Sequence, residues 1–592
     1  MKKKFSAGNW FFYLLFCTSL VLTWFFHKDA GRFNDRGELW SDRAGYYIYL
    51  PATFFYHFDT RRMPADLDIV TGGGFSIDTV KNKLDTKYTC GVALMVAPFF
   101  FTAGLVSRLC GFDDENGFSM LYMRFMGLAA VVYLLLGLWF LKKFLCFYYD
   151  PLTCYAVITL IFLGTNLFFY ALIDGMMSHV FSFFLFSLFL YALKRYLLLP
   201  ARSWFMLLSF LLALSILIRP TNIILGFLFF TWDATGTAEW TRRLKQLLKP
   251  SHLFFFLAVL FVLFLPQLVY WKYLSGHWLH FSYQGEGFTN WRHPKFAAVL
   301  FSPVNGLFPY TPVALLFVAG MFMMLYRKAR NGLSAATMFV LVTITCATWK
   351  MWYFGCSFGQ RSYIEYYAIM AVPFGYFINH VFTRRNFIAT TALFFVLFLF
   401  IYVNLRFTVA GYRYERCYYG STWDWDHFYH TLGKTGILAA DCRTTTFEND
   451  FENMAILPVV RPSQVFTRSG QYSVAADKKV EETPLFSTRL DELGYPYPKR
   501  IGVEVWMLKP GSRPTGASLG YSLNNGAKVL FSEEQPVDSL VRAPLTWARV
   551  YKTFIVPDVN DSSLQIRIFI KNPKHALLFA DDLLVRYRYS WN

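Results

Sequence analysis

The chain has 592 residues, 55% of them hydrophobic and 20% aromatic, and carries a net charge of +19. These proportions exclude an ordinary multidomain soluble protein, because the apolar residues gather into runs of roughly 20, the length that crosses a hydrocarbon layer. The excess Lys and Arg lies between those runs, where it sets topology and meets anionic head groups, so no nucleic-acid partner is implied.

Met1-Lys2-Lys3-Lys4 precedes the first apolar run, 10–26. A signal peptide has a similar head and middle, but Trp24-Phe25-Phe26-His27-Lys28 supplies no small-residue cleavage site. A retained helix with a cytoplasmic N-terminus is expected. Lys142-Lys143, Lys194-Arg195, Arg242-Arg243 with Lys245 and Lys249, Arg327-Lys328 with Arg330, and Arg384-Arg385 separate the later runs. All of them fall inside only if 88–109 lies along the outer surface, which also puts Asp113-Asp114-Glu115 outside. The predicted spans are then 10–27, 119–141, 152–171, 179–195, 203–219, 221–233 (short, tilted or broken), 251–273, 307–326, 333–352, 363–382 and 387–408. That makes about eleven in a polytopic α-helical membrane protein of the inner membrane, with the C-terminus outside.

The outward loops collect the unusual polar residues. Ser41-Asp42-Arg43-Ala44-Gly45-Tyr46-Tyr47-Ile48-Tyr49-Leu50-Pro51 follows the first span. A carboxylate at that boundary is costly unless paired or used, although Asp42 reads equally well as a cap on a surface helix anchored by its tyrosines. Gly72-Gly73-Gly74 lacks the lysine and helix start of a phosphate loop and reads as a flexible turn. Lys87-Tyr88-Thr89-Cys90-Gly91 leads to Pro98-Phe99-Phe100. In the second loop Asp174 and His179 are suited to bind metal, orient a phosphate or bond each other, and two ligands do not make a metal site. Arg219, in Ile218-Arg219-Pro220-Thr221-Asn222, needs an anionic partner, either a carboxylate or a lipid phosphate. The loop 275–306 offers His277, Trp278, His280, Tyr283, Gln284, Glu286, Trp291, Arg292 and His293, which suit sugar rings or an interfacial belt. Lys350, Arg361 and Glu365 bracket the turn Gly355-Cys356-Ser357-Phe358-Gly359-Gln360. Arg361 and Glu365 are four apart and suit a helical ion pair, while the glycines and cations suit a phosphate.

Taken in order, Ser41 to Pro51, Lys87-Tyr88 to Phe100, Gly164-Thr165-Asn166 to His179, Arg219 to Asn222, Ser302 to Phe308 and Gly355 to Arg361 make a pattern. It resembles the bacterial integral-membrane glycosyltransferases of the GT-C superfamily, in the protein-mannosyltransferase and aminoarabinose-transferase branch, over about 1–410. The resemblance implies a donor sugar on a polyprenyl phosphate, a periplasmic acceptor hydroxyl, and a pair of surface helices in the first outer loop. It places the catalytic acid at Asp42. Arg43 stands where many relatives carry a second acid, so donor class and acceptor stay open. The second outer loop offers only Asp174 where the oligosaccharyltransferase branch carries acidic metal-binding motifs, so a reaction without a divalent metal is expected. Asp42 is then the general base, Arg219 and Arg361 hold the departing phosphate with Lys350 or His179 in support, and one displacement inverts the sugar. Asp174, Tyr46, Tyr88, Glu286 and Glu365 are the candidates for sugar or acceptor contacts.

Beyond about 407 the apolar runs stop. An aromatic connector, 411–444, precedes short alternating segments over 445–592, as in an antiparallel β-sandwich of jelly-roll type, either glycan-binding or a structural cap. Cys417 and Cys442 would lie outside, paired or free. A transporter or flippase of lipid-linked glycans is the rival reading, but no internal repeat is evident and the polar residues cluster at one face. A membrane anchor for a sugar-binding domain leaves Asp42, Arg219 and Arg361 on one side without a role.

Overall fold

The computed structural model describes residues 7–28, 37–64, 67–112, 116–283, 285–384, 386–410, 423, 425–433, 444–452, 462–476, 481–493, 498–557, 561 and 563–589. Asp113-Asp114-Glu115, Gln284, Arg385, most of the aromatic connector, Cys417 and Cys442 lie outside them. Cys356 is disulfide-bonded. The chain divides into two compact units, Met1–Gly433 and Lys434–Asn592.

The first unit is helical, as its apolar runs require: every backbone polar group in hydrocarbon must be satisfied within its own segment. Among the described residues, six helices are long and apolar enough to cross a membrane: Trp10–His27, Gly91–Cys110, Met120–Leu145, Ser178–Leu198, Pro250–Ser275 and Phe387–Val409. Shorter apolar helices stand at Pro151–Gly164, Arg202–Ile218, Pro220–Thr231, Ala314–Tyr326 and Gly332–Thr348, and Tyr367–Thr383 comes after the Arg361 turn. The chain is a multi-pass membrane protein. Gly91–Cys110 qualifies as a span on length and apolarity, so only charge placement sets it aside. It packs Gly91 on the Ile218 backbone, at the end of one apolar helix, and Gly104 on the Tyr122 hydroxyl, near the start of another.

Several expected spans are interrupted, and the interruptions carry polar residues. The run 152–171 breaks at Thr165, which is extended at φ −124°. Its hydroxyl bonds the Ile161 carbonyl at 2.6 Å and takes the Leu167 amide at 3.2 Å, competing with the helix ladder. A second helix, Leu167–Leu172, then begins. Arg202–Ile218 stops where Pro220 withdraws a donor. Asn222 adds a second donor to the Ser215 carbonyl at 3.1 Å, beside the Arg219 amide, and reaches the Ser182 hydroxyl at 3.2 Å. The chain continues as a 3-10 turn, Pro220–Gly226, rather than as an α-helical span.

The second unit is a β-sandwich. One sheet runs from Ala548–Ile555 through Pro498–Leu508, Leu578–Tyr589 and Ser473–Ala476 to Pro462–Ser463, with Thr444–Asn449 also paired to Leu578–Tyr589. The other orders Glu482–Arg489, Gln565–Lys571, Ser518–Asn525 and Lys528–Pro536, and all pairings are antiparallel. Alternate residues of both sheets, among them Val503, Val505 and Val585 against Leu519, Tyr521 and Ile568, form one buried core.

Candidate active site

Asp42 opens the short helix Asp42–Tyr47. The turn before it is tight: Ser41 sits at φ 52° and its amide bonds the Thr71 carbonyl at 2.7 Å. Gly74 lies against that turn so closely that a Cβ would collide with the Ser41 carbonyl and the Gly45 amide. Gly72 and Gly73 turn the chain with φ of +83° and +75°. The glycine run, expected as a flexible turn, is therefore a packed seat for the residue that precedes Asp42. Gly74→Ala must push this turn aside, and we expect at least a tenfold loss of whatever activity depends on Asp42. A comparison of turnover with the yield of folded protein checks this.

Asp42 Oδ2 meets Arg361 Nη2 at 3.1 Å. Burial pushes the Asp42 carboxyl up, but Arg361, the facing Tyr88 hydroxyl and the nearby Lys87 ammonium together hold it below its usual range. The carboxylate side chain keeps 28% of its surface exposed, so a substrate can reach it. Arg361 is fixed by its loop rather than by a helix. Gly355 and Gly359 are left-handed at +66° and +60°, and the Phe358 amide donates to the Tyr170 hydroxyl at 2.9 Å. Tyr170 also bonds the Ser357 hydroxyl at 2.8 Å. The fully buried Asn166 donates to the Phe358 carbonyl at 3.0 Å and accepts from the Tyr367 hydroxyl at 2.8 Å. The break at 165–166 thus supplies the clamp for the loop that carries Arg361.

Glu365 does not pair with Arg361, although the two are four apart. The segment begins as a 3-10 turn, Arg361–Tyr363, which rotates the side chains differently from an α-helix. Glu365 instead takes Arg219 Nη1 on Oε1 at 3.0 Å and His179 Nδ1 on Oε2 at 3.0 Å. Arg219 Nη1 also lies 3.1 Å from His179 Nδ1, and Nη2 donates to the Ser362 hydroxyl at 3.2 Å. Tyr46 joins the two groups. Its hydroxyl donates to Ser178 beside His179 at 3.2 Å, and its ring lies 4.2 Å from that of Tyr88, which faces Asp42. Burial raises the Tyr46 phenol, with Arg219 pulling the other way and Asp42 adding to the rise. Asp42, Arg361, Arg219, His179 and Glu365 are accordingly linked, through Tyr46, into one cluster of side chains in the helical unit.

The remaining expected residues lie around or beyond it. Asp174 pairs with Arg43 at 3.1 Å, and Arg43 is nearly buried. Glu286 pairs with Lys87 at 3.0 Å, and that ammonium sits 5.6 Å and 5.7 Å from the Tyr88 and Tyr283 rings. Lys350 is not brought to the arginines: it is exposed, and its Nζ and amide hold the Gly285 and Gly287 carbonyls at 2.6 Å and 2.8 Å. Lys87 and Tyr283 join the pocket without being expected there. The lysine's position beside Tyr88 is the available signal, whereas nothing in its own loop distinguishes Tyr283 from its aromatic neighbours. Among the described residues, no three His, Cys, Asp or Glu side chains are grouped to hold a metal ion.

No protein-family model matches the chain, and no curated protein matches it. Among solved structures, ArnT from Cupriavidus metallidurans bound to undecaprenyl phosphate is similar at a TM-score of 0.36 and 13% identity, over 68% of this chain. The match spans 64% of the ArnT chain, less than two thirds of its length.

Proposed function

We propose that the protein is an inverting glycosyltransferase of GT-C type. It would move a sugar from a polyprenyl-phosphate donor to an acceptor hydroxyl on the periplasmic side of the bacterial inner membrane. The observation that carries this reading is the pairing of a reachable, ionised Asp42 with Arg361 at 3.1 Å, linked through Tyr46 to the group that holds Arg219. The ordered motifs along 1–410 support it as well.

The Asp42 carboxylate is the general base. It takes the proton of the acceptor hydroxyl while that oxygen attacks the anomeric carbon, and the bond from that carbon to the phosphate oxygen breaks on the opposite face. The departing polyprenyl phosphate carries the electron pair away, stabilised by Arg361 and Arg219. Both guanidiniums have internal partners, Asp42 for Arg361 and Glu365 with Ser362 for Arg219. The phosphate therefore competes with internal carboxylates for them, and His179 bonded to Glu365 offers that carboxylate a second partner when Arg219 turns to the donor. Tyr283, partly exposed, supplies a flat face for the sugar, backed by the buried Tyr46 and Tyr88, with Lys87–Glu286 and Arg43–Asp174 at the edges for polar contacts.

The test is mass spectrometry of lipid that copurifies with the full chain. A polyprenyl phosphate or its glycoside, lost from the Arg219→Ala protein, supports the proposal. Its absence from active wild-type protein contradicts it.

A further inference from the structure

Away from this pocket, an amphipathic helix meets an apolar groove. The helix Thr237–Leu247 presents Trp240, Leu244 and, just beyond its end, Leu248 at intervals of four, all exposed at 41%, 46% and 55%. Arg242, Lys245 and Lys249 form an adjoining exposed stripe. The roll of the helix is fixed from the other side. Arg243 is buried and donates Nη1 to the Phe229 carbonyl at 3.1 Å and to the Trp232 carbonyl at 2.7 Å, and Gln246 bonds the Tyr196 hydroxyl. Glu239, the one acid in 237–249, is taken up by Arg242 at 2.7 Å and Arg243 at 2.8 Å. Lys245 and Lys249 are left with no carboxylate partner among the described residues.

Leu247 also lines one end of a groove of about 750 Å³ between Arg202–Ile218 and Pro250–Ser275. Its walls include Leu212, Ile216, Ile223, Phe261 and Phe264. From Phe205 to Ile216 the groove runs along eleven helical steps, on the order of 16 Å, comparable to half of the ~30 Å hydrocarbon core. An apolar channel one leaflet deep, ending at a helix that carries two exposed lysines without a carboxylate partner, matches a lipid with an acyl chain and an anionic head. At the far end Arg219 is turned to Glu365 and Ser362, so the head group belongs at the lysines.

We infer that this groove and helix bind an anionic phospholipid of the adjoining leaflet, its head group on Lys245 and Lys249 and one acyl chain along the groove. This lipid site needs only the membrane setting, so it stands or falls independently of the transferase reading. The test titrates the full-length protein in neutral detergent with phosphatidylglycerol, phosphatidylcholine or a polyprenyl phosphate and monitors its melting temperature. We expect phosphatidylglycerol to raise the melting temperature by several degrees and phosphatidylcholine to leave it within a degree. K245Q/K249Q should lose that rise with its lipid-free melting temperature unchanged, since both side chains are exposed, and Asp42→Asn should keep it. Equal stabilisation by phosphatidylcholine, a full rise in K245Q/K249Q, or a rise from polyprenyl phosphate alone overturns the inference.

Discussion

Asp42→Asn is expected to lower turnover by a factor of about 10²–10⁴, the range a positioned general base supplies, while leaving the protein folded and its affinity for donor at least that of wild type, since the phosphate no longer competes with a carboxylate for Arg361. Asparagine keeps the shape of the side chain and an oxygen for Arg361 to donate to, so the loop carrying Arg361 stays in place through Tyr170 and Asn166. The capacity to accept a proton disappears. The lost charge is partly exposed, so the stability change should be small. A transporter or flippase, which has no proton to abstract from a sugar acceptor, would be little affected. Turnover and donor binding measured on the same preparation separate these cases, and equal losses in both would point to disrupted structure rather than lost base.

The second large effect is on pH dependence. In the wild-type protein burial raises the Asp42 carboxyl, and Arg361, Tyr88 and Lys87 outweigh it, so its pKa is depressed. A depressed carboxyl is ionised throughout the neutral range, and activity is lost only when pH falls through the lowered value. The same sign governs stability: the Asp42 pair contributes fully above the ordinary carboxyl range and is lost on acidification through the lowered pKa. Arg361→Gln removes the strongest of the influences that oppose burial. The carboxyl should then titrate above its wild-type value, and the acid limb of kcat/KM should move to higher pH. Donor KM should rise in the same variant because one of the two phosphate ligands is gone. An acid limb that stays in place would separate Asp42 from the titrating base.

Much of this pocket is legible in the sequence because charges between apolar runs must find partners. Asp42, Arg219 and Arg361 stand out on that ground, and each is paired. Their partners are not legible. Glu365 at i+4 from Arg361 suggests a helical pair, but the intervening 3-10 turn hands Glu365 to Arg219 and His179 from distant helices. Lys350 shares the cationic character of its neighbours, yet it serves the 285–287 backbone. The role of Gly74 depends on another segment crossing it, and periodicity carries no record of such crossings. In the sandwich, Pro498–Leu508 and Leu578–Tyr589 announce themselves by alternation. Lys528–Pro536 does not, because it is largely exposed and its pattern lacks a buried face. The helix break at Thr165 falls inside an apolar run that hydropathy reads as continuous, whereas the break at Arg219 falls between two expected spans.

The proposed reaction is a single displacement: Asp42 takes the acceptor proton, while Arg219, with Arg361 once the donor phosphate draws it from Asp42, holds the departing phosphate. The most direct measurement is the anomeric configuration of the product formed by the full-length protein from a polyprenyl-phosphate sugar of known configuration, read by nuclear magnetic resonance. Inversion is the expected result. A product that retains the donor's configuration would require a second displacement and would contradict the role given to Asp42.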